Sequence, residues 1–147
     1  MKIALRVNGV LHEVDVEPRK LLAHLLRELG YTSVRIGCDT ATCGACTVIM
    51  NGRPVKSCNV LAVQADGAEI YTAEYSDEVM QRLRDAFKRH HAAQCGFCTS
   101  GMLMTAYHLV KRGVKSEEEI VDGLGGVLCR CTGYQNIVEA VREAAGV

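Results

Sequence analysis

The chain has 147 residues, 48% of them hydrophobic and 23% charged, with only 2 Pro, which excludes a disordered tail protein and fits one compact unit of ordinary size. Lys and Arg number 17 against 17 Asp and Glu, so the formal charge is +0 and no basic field exists to neutralise a phosphate backbone. Nucleic acid is therefore excluded as an expected partner.

The opening stretch MKIALRVNGVLHEVDVEPRK holds neither a long apolar run nor a small-residue cleavage site. No secretion signal is expected, and the thiols are expected in a reducing cytoplasm. Ile3, Leu5 and Val7 alternate on one face, an Asn8-Gly9 turn follows, and Leu11, Val14 and Val16 continue, which predicts a β-hairpin. Pro18 suits a first helical position, Leu21, Leu22, Leu25, Leu26 and Leu29 form a helical stripe, and Gly30 sits where a C-cap belongs. After a Cys-rich loop, Thr47 to Met50, Asn51-Gly52 and Arg53 to Lys56 read as a second hairpin, with Glu69 to Thr72 a closing strand.

From Ser76 the period becomes helical. Val79, Met80, Leu83 and Phe87 share a face behind Ser76 as N-cap, with Asp77 and Glu78 in the first turn. Ala92 to Val110 carries no Asp, Glu, Lys or Arg, but its Gln94, Gly96, Thr99, Ser100, Gly101 and His108 make it a loop and a buried helix rather than a transmembrane segment. Met102, Leu103, Ala106, Leu109 and Val110 make its stripe, and Ser116 with Glu119, then Asn136 with Glu139, read as capping boxes of two further helices. The expected fold class is α+β: a β-rich first domain at 1–74 and an all-α domain at 75–147. Each half is only about 70 residues, a size at which a bound metal often supplements the core.

The 8 cysteines fall into two sets. Cys38, Cys43, Cys46 and Cys58 read C-x4-C-x2-C with a fourth Cys beyond the second hairpin, the plant-type [2Fe-2S] spacing, and Gly37, Gly44 and Ala45 leave room for the loop to wrap the core closely. Cys95 and Cys98, with Cys129 and Cys131, form short pairs beside two helices that can converge into a second tetrathiolate site. Two oxidised clusters would add about −4 to the formal charge, which Arg130, between two ligands, is placed to offset.

Four disulfides are the first rival, opposed by the compartment and by the poor geometry of a C-x-C bridge. Structural zinc is the second, usually held by paired C-x2-C knuckles and more open for the second set than the first. Rieske ligation needs paired histidines, and His12, His24, His90, His91 and His108 do not sit that way; they read as surface or packing residues. Gly123, Gly125 and Gly126 read as a tight turn rather than a nucleotide loop, because Leu128 replaces the last glycine and no strand precedes. Met102 and Met104 read as core. No constellation for bond chemistry stands out.

Gly37-Cys38-Asp39-Thr40, Cys43-Gly44-Ala45-Cys46-Thr47-Val48, Gln94-Cys95-Gly96-Phe97-Cys98-Thr99 and Cys129-Arg130-Cys131-Thr132-Gly133-Tyr134 together resemble the iron–sulfur small subunits of the xanthine oxidase family of molybdenum hydroxylases, over nearly the whole chain. Within it, Val55-Lys56-Ser57-Cys58, Ala62-Val63-Gln64-Ala65 and Tyr134-Gln135-Asn136-Ile137-Val138 are most similar to the carbon monoxide dehydrogenase and aldehyde oxidoreductase small subunits. The resemblance implies a ferredoxin-like β-grasp domain with a more exposed cluster, then a four-helix domain whose buried cluster abuts the molybdopterin of a large subunit, touched by Gln94 and Cys131. Electrons would pass from molybdenum through the second cluster to the first and on to FAD in a medium subunit, within a heterotrimer or a dimer of heterotrimers. Ser100, Val127 and Thr42 depart from the usual Pro, Asn and Gly, and none is a ligand. Two other functions stay open beside it: a free-standing ferredoxin-like carrier and a zinc-stabilised interaction module.

Overall fold

The computed structural model describes residues 1–147. β1 (Lys2–Val7) pairs antiparallel with β2 (Val10–Asp15) across Asn8 and Gly9, whose φ of 52° and 85° are the positive pair a type I′ turn demands. β3 (Thr47–Met50) and β4 (Arg53–Lys56) repeat the device with Asn51 at 50° and Gly52 at 82°. β5 (Glu69–Tyr71) runs parallel to β1 and antiparallel to β3, completing a five-stranded mixed sheet of order β2-β1-β5-β3-β4.

The first helix, α1 (Leu22–Glu28), starts later than Pro18 suggested. Pro18 instead occupies the second position of a turn closed by the Lys20 amide on the Glu17 carbonyl at 3.0 Å, where its fixed φ is equally welcome. What starts α1 is a backbone clasp: the Leu22 amide donates to Val60 at 2.7 Å and the Ala62 amide to Lys20 at 2.7 Å. That clasp ties the helix to the segment just beyond Cys58.

Four helices follow: α2 (Glu78–Arg89), α3 (Thr99–Lys111), α4 (Glu117–Leu124) and α5 (Gln135–Ala145). The cap of α2 is Asp77 rather than Ser76, its carboxylate accepting from the Met80 amide at 2.8 Å, while Ser76 accepts from Arg84. Ser116 caps α4 through the Glu119 amide at 3.2 Å, but the Glu119 carboxylate meets the Ser116 hydroxyl and not its amide, so half of the expected box forms. Asn136 caps nothing. α5 begins one residue before it, behind Tyr134 held at φ 70°.

β3 joins the halves. Successive strand residues face opposite sides, so Val48 packs under α1 with Leu5, Leu22, Leu26 and Ile70, while Ile49 enters the helical core with Met80, Met102 and Ile137. α3 lies against that second face and is buried on nearly every side from Ser100 to Tyr107, not along one stripe. Met102 and Met104 are fully buried core residues. No helix is long and apolar enough to cross a membrane.

Candidate functional site

The loop from Gly37 to Cys46 is bent by three left-handed residues, Asp39 at φ 57°, Ala41 at 59° and Gly44 at 77°. The bends turn the amides of Thr40, Thr42 and Cys43 onto the Cys38 sulfur at 3.4, 3.4 and 3.3 Å. From β4, the Lys56 ammonium clamps the same loop by donating to the carbonyls of Ala41 at 2.8 Å and Thr42 at 3.4 Å. Cys46 is fixed from below, its carbonyl accepting from the Ser57 hydroxyl at 2.6 Å, and its sulfur receives the Cys58 amide at 3.5 Å. Cys46 and Cys58 are buried; Cys38 and Cys43 are half-buried. The Thr40 hydroxyl and the loop amides hold the Cys38 thiol down at about 6, whereas burial and the bond to Cys46 push Cys58 up to about 11.

The second set joins the start of α3 to the turn before α5, and its thiols meet in cross-pairs, Cys95 with Cys131 and Cys98 with Cys129. The Phe97 amide and the Cys131 thiol lower Cys95, while the bond to Cys95 raises Cys131. Burial, with the Cys129 pairing added, pushes Cys98 up to about 12. Burial opposes ionisation of Cys129, but the Thr132 hydroxyl and amide and the Cys98 thiol outweigh it and lower the group. Such pairs suit a two-iron core, which takes two thiolates at each iron.

The two sets abut. The Leu128 amide, next to Cys129, donates to the Cys43 carbonyl at 2.8 Å. A Cβ on Gly44 would stand 2.2 Å from the Gly126 carbonyl oxygen, and one on Gly101 would stand 2.3 Å from the Gly44 carbonyl oxygen, so only glycines permit this approach. Arg35 reaches across from the first half, donating to the Gly96 carbonyl and lying 5.8 Å from the Phe97 ring centroid. Ser100, which stands where the resemblance has Pro, donates to the Ala45 carbonyl at 3.5 Å.

The surface around the second set is open and partly apolar: Cys95, Cys131 and Gln94 are exposed, and Phe97 and Leu128 are 46% and 52% exposed. In the isolated chain Cys95 and Cys131 of the second set are exposed, whereas no cysteine of the first set is. A surface hollow of about 500 Å³ lies on the first hairpin among residues such as Lys2, Glu13, Asp15 and Asp66, and no cysteine lines it. None of the five histidines joins either set: His12 bonds Tyr31, His90 faces Glu143, and His108 lies on α3. Arg35, Lys56 and Thr132 carry no signature in the sequence, because an isolated basic or hydroxyl residue does not announce which carbonyl or sulfur it will meet.

Two family models cover the chain, a "2Fe-2S iron-sulfur cluster binding domain" over residues 5–75 and a "[2Fe-2S] binding domain" over residues 70–142. The small subunit of nicotine 6-hydroxylase from Paenarthrobacter nicotinovorans is 48% identical, over 99% of this chain and 90% of that protein. The crystal structure of quinoline 2-oxidoreductase from Pseudomonas putida 86 contains a chain 45% identical with a TM-score of 0.91, covering 99% of this chain and 94% of that one. The aldehyde oxidoreductase from Desulfovibrio desulfuricans ATCC 27774 superposes with the same TM-score, 0.91, at 38% identity, over 99% of this chain but 17% of that longer one.

Proposed function

The chain belongs to the iron–sulfur small subunits of the xanthine oxidase family of molybdenum hydroxylases, and from that premise we propose that Cys38, Cys43, Cys46 and Cys58 hold one [2Fe-2S] cluster and Cys95, Cys98, Cys129 and Cys131 a second. It is the non-catalytic electron-transfer subunit of an oxidoreductase, with substrate chemistry left to another chain. The proposed domain division falls at 74/75, between the sheet and the four helices.

Bound clusters would supply one-electron storage at each set. The chain's own contribution is to orient eight thiolates, stabilise their charge with loop amides, and bring the sets together. The observation that carries the proposal is the 2.8 Å bond from the Leu128 amide to the Cys43 carbonyl, which leaves one hydrogen bond between the backbones bearing the two sets. The open face around Gln94 and Cys131, with its exposed Phe97 and Leu128, supports contact there with the molybdopterin of a large subunit. A free-standing carrier would leave that apolar face in water, which disfavours the alternative. Electrons then enter on the Gln94/Cys131 side and leave on the Cys38 side, towards FAD in a medium subunit of a heterotrimer or a dimer of heterotrimers.

Purification of the native complex through a tag on this chain tests the assignment. Molybdenum and flavin should co-purify. Recovery of the chain alone, iron-loaded and monomeric at every salt concentration, would favour the free-standing carrier instead.

A further inference from the structure

The turn after Cys131 folds back on Cys129. Gly133 at φ 66° and Tyr134 at φ 70° are consecutive left-handed residues, and a bulky aromatic keeps such a backbone only where its surroundings hold it there. Two bonds do so: the Tyr134 amide donates to the Thr132 hydroxyl oxygen at 3.1 Å, and the Cys129 amide donates to the Tyr134 hydroxyl oxygen at 2.9 Å. The Thr132 oxygen, already accepting from an amide, also lies 3.0 Å from the Cys129 sulfur. Once Cys129 is a ligand thiolate it has no proton to give, so the hydroxyl proton of Thr132 must point at the sulfur. The other sulfur contacts in this set from outside the cysteines are the Phe97 amide on Cys95 and the Thr132 amide on Cys129, backbone groups that side-chain replacement does not remove.

From this geometry we propose that Thr132 is a positioning residue that raises the reduction potential of the second cluster by donating a hydrogen bond to the Cys129 thiolate. The proposal rests on the ligand assignment above. Accepting one electron makes the ligand sulfurs more negative, so an O–H···S bond is stronger in the reduced state than in the oxidised one, and its presence favours reduction. The strained Tyr134 backbone keeps the hydroxyl in register with the sulfur.

The test is an EPR redox titration of the full chain in its native complex, with dithionite as the electron donor and the first cluster as internal reference. Thr132→Val keeps the shape and loses the hydroxyl, Thr132→Ala loses hydroxyl and bulk, and Thr132→Ser keeps the hydroxyl. In the Val and Ala variants the reduced-to-oxidised ratio of the second cluster at fixed potential should fall about tenfold, equivalent to about 59 mV for one electron. The Ser variant should titrate with the native protein, and the first cluster should not move in any of them. A second cluster that keeps its iron and its potential in Val or Ala, or a Ser variant shifted as far as they are, would overturn the proposal. Absence of iron from the unmodified chain would instead strike the ligand assignment, so the two failures are distinguishable.

Discussion

The Leu128 amide donates to the Cys43 carbonyl at 2.8 Å, placing the residue before one expected ligand, Cys129, on the backbone of another, Cys43. The contact exists because the neighbouring backbone carries no side chain: Gly44 sits between Gly101 and the Gly126 carbonyl.

Gly44→Ala should therefore separate the sets. Its methyl would meet the Gly126 carbonyl oxygen at 2.2 Å from a backbone at φ +77°, a combination expected to cost more than about 1 kcal/mol. The magnetic splitting between the two reduced clusters should shrink and Tm should fall. Gly9→Ala is the control: its φ is +85° but nothing lies within 4 Å, so it should lower Tm slightly and leave the splitting unchanged.

Arg35→Met should loosen the seam from the other side. The Gly96 carbonyl loses its guanidinium donor and the Phe97 ring its cation, for a cost of about 1–3 kcal/mol if the carbonyl stays dry. Iron of the second set should be lost to a chelator faster than in the native chain, while release from the first set stays unchanged.

Glu74 ties the entrance of the first cysteine loop to the segment before α2, accepting from the Ser33 amide at 3.0 Å and from the Thr72 hydroxyl at 2.7 Å. Burial opposes its ionisation, yet the Ser33 and Thr72 donors prevail and hold the carboxyl below its ordinary value. A group depressed in the folded state contributes stability that is full above its unfolded pKa, near 4.3, and is lost as pH falls through the lower folded value. Thermal melts should show Glu74→Gln less stable than the native chain at pH 7, with the gap narrowing below about pH 4. A gap constant across that range would contradict the assignment.

Cys46→Ser should remove the first cluster alone, because the sets touch but share no ligand. Iron should fall from about four to about two per chain, and one of two EPR signals should remain. Loss of both signals would mean that the second set cannot assemble without the first.

What the sequence made legible was local. Asn8-Gly9 and Asn51-Gly52 mark their hairpins because a type I′ turn needs positive φ at both positions, and the short cysteine spacings suggest the two proposed ligand sets because close pairs stay together in any fold. Pro18 was ambiguous, since its ring fits a turn as well as a helix start. Ser76 and Asp77 are both competent caps, and only the register of α2 on its core decides between them. The stripe read along α3 missed its other faces because the sheet that covers one of them lies some fifty residues earlier. The abutment of the two sets, and the hands that Arg35 and Lys56 lay on them, depend on contacts across the chain that no spacing encodes.

Iron and acid-labile sulfide analysis of the anaerobically purified chain, read with its dithionite-reduced EPR spectrum, tests the ligand assignment most directly. The expected result is about four iron and about four sulfide per chain with two distinguishable signals. About two zinc per chain with no visible absorption, or two iron with a single signal from the unmodified protein, would contradict it.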